Sequence, residues 1–363
     1  MKRILCLIDT LGMGGAERQM IGLVLLLKAR GYEVDLVTYY EHDFHEELVR
    51  RYGLGSITLN VRPNRLSKLL AVRRHIKASG GYDWVIAFKD GPATIGCLLK
   101  LLGSDFNLIV SERNTNQSIS KFDRLKFFLY KWADAVVPNS HSQERFINEH
   151  FPDLKEKVFT ITNFTDTTHF SPAIPRTNEC LRVITAARIA SQKNLMNYME
   201  AVRLLKEDGY SDKIKCEWYG DVQSGEEEYA EACLTLLDKL DIGDMFKIFP
   251  ATTQIVDHYH SCDVFCLPSL YEGFPNVVCE AMSCGKPIAC SNVCDNPDIV
   301  QNGVNGLLFD PKQPQEIYQA LKQMVDMTYE ERMRWGQQSR SIAESLFSQD
   351  AFVAKYIQLI ERV

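Results

Sequence analysis

At 363 residues the chain is too long for one ordinary hydrophobic core and fits two domains. A composition of 45% hydrophobic and 24% charged residues is that of a packed protein and excludes extended disorder. The net charge of −6 excludes the basic footprint that nucleic-acid binding as a main function requires.

From the N-terminus, Lys2-Arg3 precede a short apolar run that Asp9 interrupts and that lacks a small-residue cleavage site, so no signal peptide is expected. Met20 to Leu27 is too short to span a bilayer and contains Gly22. The body of the protein is therefore expected to stay cytoplasmic. Strand candidates follow one another at Arg3–Asp9, Val34–Thr38, Ser56–Leu59, Trp84–Phe88, Leu108–Ser111, Ala135–Pro138 and Val158–Ile161. Amphipathic stretches such as Ala16–Arg30 and Leu66–Ala78 separate them. Strands alternating with helices predict βαβ crossovers and a parallel sheet covered on both faces.

Asn163–Glu179, with Pro172, Pro175 and several threonines, lacks periodicity and reads as a linker. The alternation then restarts with Leu181–Ala187, Ile214–Tyr219, Phe246–Phe249, Val264–Leu267 and Ile288–Cys290. The expected architecture is α/β, with two Rossmann-like domains facing across a cleft and ligands outside the carboxyl ends of the strands. Residues 1–165 form the first domain, 166–346 the second, and a helix at about 347–363 crosses back to the first.

Most of the eleven cysteines fall inside apolar runs (Cys6, Cys216, Cys266, Cys279, Cys290), as buried free thiols do in a reducing compartment. Cys262 and Cys266 with Cys290 and Cys294 offer an alternative metal set, but at C-x₃-C spacing rather than the zinc knuckle's C-x₂-C.

Three constellations carry chemistry. Gly12, Gly14 and Gly15 follow the first strand and open a helix, which suits either close approach to an anion or a tight turn alone. The third glycine of the dinucleotide fingerprint would fall at Glu17, which argues against a dehydrogenase. Arg188 and Lys193, just past the first strand of the second domain, suit a diphosphate, or else a solvated helix start. Leu267 to Met282 runs strand, loop, helix, with Glu272 on the loop and Glu280 about a turn into a helix starting near Asn276. The helix start offers N–H groups to phosphate, and a carboxylate there can accept from ribose hydroxyls. Two carboxylates also fit a hydrolase pair, and Glu280 also fits a plain surface position.

In order along the chain, Gly14-Gly15-Ala16-Glu17, Arg188 with Lys193, Glu272-Gly273-Phe274-Pro275-Asn276 with Glu280, and Asn305-Gly306 resemble the retaining GT-B glycosyltransferases of family four. Glu272 and Glu280 meet the E-x₇-E arrangement, and Asn163 to Pro172 resembles the family's linker. The resemblance implies that Arg188 and Lys193 bind the donor diphosphate and stabilise the leaving group. It implies that Gly273, Phe274, Pro275, Asn276 and Val277 touch phosphates and donor sugar, that Glu272 steadies the oxocarbenium-like centre, and that Glu280 holds the ribose. Gly15 would line the donor side, and no metal or other cofactor is implied. The implied reaction moves a hexose or N-acetylhexosamine from a nucleotide-diphosphate donor, a UDP-sugar in this subset, to a glycan or lipid-linked glycan in cell-envelope synthesis. Where the family often carries a histidine, Ser111-Glu112-Arg113-Asn114 stands, leaving Glu112 and Arg113, with Gly14, as acceptor or sugar contacts.

Two basic stretches bear on the acceptor. Arg62, Arg65, Lys68, Arg73, Arg74 and Lys77 fall within sixteen residues free of acids. Lys121, Arg124, Lys126 and Lys131 interleave with Phe122, Leu125, Phe127, Phe128, Tyr130 and Trp132. Such surfaces either settle on an anionic membrane as a peripheral contact or pack their aromatics into a core. The rival functions are a GT-B nucleotide-sugar epimerase and a non-catalytic nucleotide-sugar-binding partner.

Overall fold

The structure, a computed structural model, describes residues 2–12, 14–41, 49–50, 53–59, 61, 64–174 and 179–362. Met13, Arg62 and Pro175, which figure in the stretches above, lie outside the described residues. The chain divides into two compact units, Met1–Phe164 with Gln349–Val363, and Thr165–Ser348.

In the first unit, β1 (Arg3–Leu7), β2 (Glu33–Thr38), β3 (Ser56–Thr58), β4 (Trp84–Phe88), β5 (Asn107–Glu112) and β6 (Ala135–Pro138) form one sheet. The order is β3-β2-β1-β4-β5-β6, and every pairing is parallel. The central strands read as unbroken apolar runs because helices cover both faces. On one face α1 (Gly15–Ala29) packs with α13 (Gln349–Glu361), the last helix, through Met20, Val24, Phe352 and Tyr356. Arg30 to Asp350 and Tyr32 to Glu361 tie that helix down at its two ends. On the other face α2 (Arg65–Ala78), α3 (Asp90–Leu101) and α4 (Lys121–Leu129) share a second core with Val85, Leu108 and Phe127. α5 (His141–His150) follows β6.

Val158–Ile161 does not become a strand. Beyond a single bridge to Val136, Phe159 N–H donates to the Val136 carbonyl and Ile161 N–H to that of Pro138. Pro138 ends β6 and has no N–H to give in return, so pairing stops there.

The second unit repeats the plan with β7 (Leu181–Ala186), β8 (Ile214–Tyr219), β9 (Phe246–Phe249), β10 (Val264–Leu267), β11 (Ile288–Ser291) and β12 (Gly306–Phe309). Their order, β12-β11-β10-β7-β8-β9, is the first unit's order counted from β7. α6 (Leu195–Glu207), α7 (Glu227–Leu240) and α11 (Pro314–Asp326) cover one face. α8 (Ile255–Ser261), α9 (Asn276–Ser283) and α10 (Asn296–Ile299) cover the other, and α12 (Tyr329–Leu346) adds Ala343 to that core. Part of the expected linker is packed structure. Asp166 accepts from the N–H groups of Thr168 and His169, and Arg340 donates to the carbonyls of Thr167, Phe170 and Ser283.

All eleven cysteines are free, and only Cys180 and Cys294 are not fully buried. Cys266 and Cys290 belong to the cores on opposite faces of the second sheet, so they cannot converge on one metal.

Candidate active site

In each sheet the strand order reverses between two neighbouring central strands, and a doubly wound fold binds its ligands outside the carboxyl ends at that point. In the second unit the reversal lies between β7 and β10. The two strongest sequence constellations are the loops that follow those strands.

The loop after β7 is held by close backbone contacts. Ala187 N–H donates to the Tyr219 carbonyl, and the Ala187 carbonyl accepts from the Trp218 indole N–H at 2.8 Å. A Cβ on Gly220 would lie 1.8 Å from that same carbonyl oxygen, so only glycine lets the two chains approach this closely. Arg188, the next residue, is exposed and makes no hydrogen bond or ion pair with the described residues. A 3₁₀ turn, Ser191–Lys193, then leads to Asn194, which sits in the left-handed region (φ 62°, ψ 39°), as Asn tolerates. The Asn194 amide pins the turn by donating to the carbonyls of Pro268 and Pro311.

The loop after β10 meets this turn. Leu270 N–H donates to the Gln192 carbonyl, and the Gln192 side chain donates to that of Tyr271. Lys193 Nζ donates to Glu272 Oε1 at 2.6 Å, and both side chains are largely buried. Residues 79 positions apart are thus brought into one ion pair. The loop then enters α9, whose first turn has no side-chain cap. The backbone N–H groups of Gly273, Phe274 and Val277 have no partner among the described residues, which leaves them available to an anion at the helix start. Glu280 is buried, not a surface residue, and accepts from the Tyr259 hydroxyl at 3.1 Å. Pro275 and Asn276 form the helix entrance itself. Arg188, Lys193, Glu272, Gly273 to Val277 and Glu280 therefore belong to two adjoining loops and one helix.

The first-unit candidates separate. Gly14 and Gly15 open α1, and the Glu17 carboxylate occupies the space that a Cβ on Gly14 would need. Glu112 is fully buried and accepts from Lys126 Nζ (2.8 Å), Gln143 and the Tyr130 hydroxyl. Burial presses the Lys126 ammonium down, but Glu112 and Asp90 beside it outweigh this and raise it. Arg113 turns another way: it donates to Asn163 and Ser111 and lies 4.4 Å over the Phe88 ring. Burial lowers its guanidinium to about 10. Among the basic-aromatic residues, Lys126, Phe127 and Tyr130 are core, whereas Phe122, Leu125 and Phe128 are exposed.

Two family models cover nearly the whole chain. One described as Glycosyltransferase Family 4 matches residues 13–169, and one described as Glycosyl transferases group 1 matches residues 166–342. The chain belongs to the family-four glycosyltransferases. A Haemophilus influenzae protein named as an uncharacterized glycosyltransferase is 25% identical over 90% of this chain and 91% of its own. A Campylobacter jejuni N-acetylgalactosaminyltransferase, whose name gives a diphospho-undecaprenol acceptor, is 22% identical over 90% and 91%. The crystal structure of Anabaena HepE with UDP and glucose superposes at a TM-score of 0.86 over all of both chains at 18% identity, which shows the GT-B fold.

For this glycosyltransferase, sequence reasoning passed over the Trp218 to Gly220 segment that seats the arginine loop. The glycine directly after a strand was its only signal. It also passed over Lys89, which the first unit places between Asp9 and Glu17.

Proposed function

We propose that the chain is a retaining, metal-independent glycosyltransferase. It moves a hexose or N-acetylhexosamine from a UDP-sugar onto a hydroxyl of a glycan or lipid-linked glycan in cell-envelope polysaccharide or glycoconjugate synthesis. The observation that carries this reading is the Lys193–Glu272 pair at the second unit's switch point, beside the unpartnered N–H groups that lead into α9. Lys193 uses one of three ammonium hydrogens on Glu272, which leaves donors for a phosphate oxygen. Arg188, unpartnered, adds the second cation.

In the reaction the bond from the sugar's anomeric carbon to the phosphate oxygen breaks. A bond from that carbon to the acceptor oxygen forms on the same face, and the acceptor's proton passes to a phosphate oxygen of the departing diphosphate. Arg188, Lys193 and the N–H groups meet the charge that grows on the leaving group, so catalysis is mainly electrostatic. Glu272 faces the developing positive charge on the sugar, and Glu280 takes the ribose hydroxyls.

HepE's bound UDP and glucose support the donor class, and the Campylobacter relative's acceptor supports a lipid-linked one. Peripheral membrane contact fits the outer side of the first unit's α2–α3–α4 layer. Phe122, Leu125 and Phe128 are 45%, 54% and 51% exposed there, and Leu66, Leu70 and Leu101 are exposed too. Leaving out the buried Lys126, the three helices carry eight lysines and arginines against two acids, which favours an anionic surface. No helix among the described residues is long and apolar enough to cross a membrane.

The test is a thermal-shift panel of sugar nucleotides followed by nucleotide release in EDTA. A UDP-sugar is expected to stabilise the protein and to release UDP slowly without metal. No response to any sugar nucleotide would sink the assignment, and sugar interconversion would replace it with an epimerase.

A further inference from the structure

The first unit has its own switch point, between β1 and β4, and the residues there form a built cluster. Asp9 lies just past β1 and Lys89 just past β4. Lys89 Nζ donates to Asp9 Oδ1 at 3.0 Å and to Glu17, which is buried in the first turn of α1. Lys89 takes φ 73°, a conformation strained for a non-glycine residue that persists where the surroundings fix it. The second anchor of the Asp9 side chain is Thr10 N–H, at 2.9 Å and again on Oδ1. Asp9 Oδ2 has no partner among the described residues.

Beside it stands Tyr39, whose N–H donates to the Asp9 carbonyl. Tyr39 is only 4% exposed, yet its hydroxyl has no partner among the described residues. It points to Gly91 at the start of α3, two residues past Lys89, where a Cβ would meet it at 2.7 Å. Arg113 lies near enough to Glu17 for their charges to interact. Two carboxylates and two cations therefore cancel, leaving no net charge to recruit a phosphate. What remains is one fixed acceptor oxygen and the nearby Tyr39 hydroxyl, the pair that recognises a sugar hydroxyl.

We propose that Asp9 and Tyr39, held by Lys89, form a binding site for a hydroxyl of an uncharged sugar, the acceptor glycan's terminal residue. This rests on the transferase reading, and assigns the acceptor to the first unit. Lys89 is a positioning residue: its ammonium fixes the Asp9 carboxylate through Oδ1 and leaves Oδ2 to the ligand.

The experiment uses the full chain with p-nitrophenyl glycosides of glucose, galactose, N-acetylglucosamine and N-acetylgalactosamine, their binding followed by saturation-transfer NMR. UDP affinity is measured alongside by calorimetry. Wild type is expected to bind at least one glycoside, and Asp9→Asn and Tyr39→Phe each to weaken that binding fivefold or more. The hydroxyl deletion in Tyr39→Phe guards against an Asp9 variant that fails to fold. Binding by no glycoside, or a loss below fivefold in the folded variants, overturns the site while UDP binding upholds the transferase reading. Absence of UDP binding in the wild type strikes that reading instead, and the glycoside arm still decides the site.

Discussion

Replacing Lys193 by methionine separates what the ion pair does for the fold from what the cation does for turnover. Lys193 and Glu272 are 2.6 Å apart, with side-chain exposures of 13% and 8%. At that distance and an effective dielectric of about 20, Coulomb's law gives about 6 kcal/mol of attraction, much of it offset by desolvation of both groups. Removing the lysine alone leaves a largely buried carboxylate without its partner, and a loss of about 3 kcal/mol is expected. The double variant Lys193→Met/Glu272→Gln removes the orphaned charge as well, and is expected to return to within about 1 kcal/mol of wild type. Turnover should follow another course. It should fall about 10²-fold or more in Lys193→Met and stay low in the double variant, because the cation that meets the leaving diphosphate is gone from both. Urea unfolding reads the first quantity and UDP release the second. A double variant as unstable as the single one would refute the ion-pair argument, and wild-type turnover in either would refute the role of the cation.

Gly220→Ala places a methyl 1.8 Å from the Ala187 oxygen and 2.6 Å from its carbon. A loss of about 2–3 kcal/mol in urea unfolding is expected, with weaker UDP binding as the Arg188 loop shifts; wild-type values for both would show that the contact is slack. Glu217 gives a pH dependence: burial pushes its carboxyl up, but Arg182 and the Tyr219 hydroxyl pull harder and hold it below the usual range. Its stabilisation is therefore present above the unfolded pKa, about 4.3, and fades as pH falls through the folded value. Glu217→Gln should flatten the loss of melting temperature below about pH 4.5, and an identical acid limb in the two proteins would count against it. On the surface, changing Phe122, Leu125 and Phe128 together to serine should cut co-sedimentation with phosphatidylglycerol vesicles about tenfold or more; unaltered sedimentation would end the membrane reading of α4.

Much of the fold was legible because strands buried on both faces must be written as apolar runs. Trp84–Phe88 and Val264–Leu267 begin and end where their hydrophobic runs do. The second unit's two candidate-site loops were legible for a related reason: glycine, proline, cations and carboxylates directly after a strand have little structural role in common. What escaped was whatever depends on partners far along the chain. Lys126 and Phe127 look like parts of a basic, aromatic surface until buried Glu112, which Tyr130 also bonds, is seen to draw the lysine inward. Gly220 is one strand-end glycine among many until the Ala187 carbonyl is found against it. Asp9 and Lys89 share no local pattern, and only the pairing of β1 with β4 makes them neighbours.

The two units share one strand order but leave different groups over. After β7 and β10, Lys193 is spent partly on Glu272 and Glu280 engages Tyr259, so the charged side chain left unpartnered among the described residues is a cation, Arg188, beside open N–H groups. After β1 and β4, one lysine sits between two carboxylates, and a carboxylate oxygen of Asp9 is left unpartnered among the described residues. A diphosphate needs the first environment and finds no net positive charge in the second; a neutral sugar hydroxyl can use the second but gains little from a bare cation. On the proposed reading, a division of labour between donor and acceptor does not require different folds. It follows from which residues come next after the first and fourth strands of each sheet. Lys89→Met should therefore leave Asp9 and Glu17 an acidic pair with only Arg113 to offset it and the Asp9 carboxylate unheld, weakening glycoside binding far more than UDP binding. Equal losses of both ligands would mean that the two units do not divide the substrates in this way.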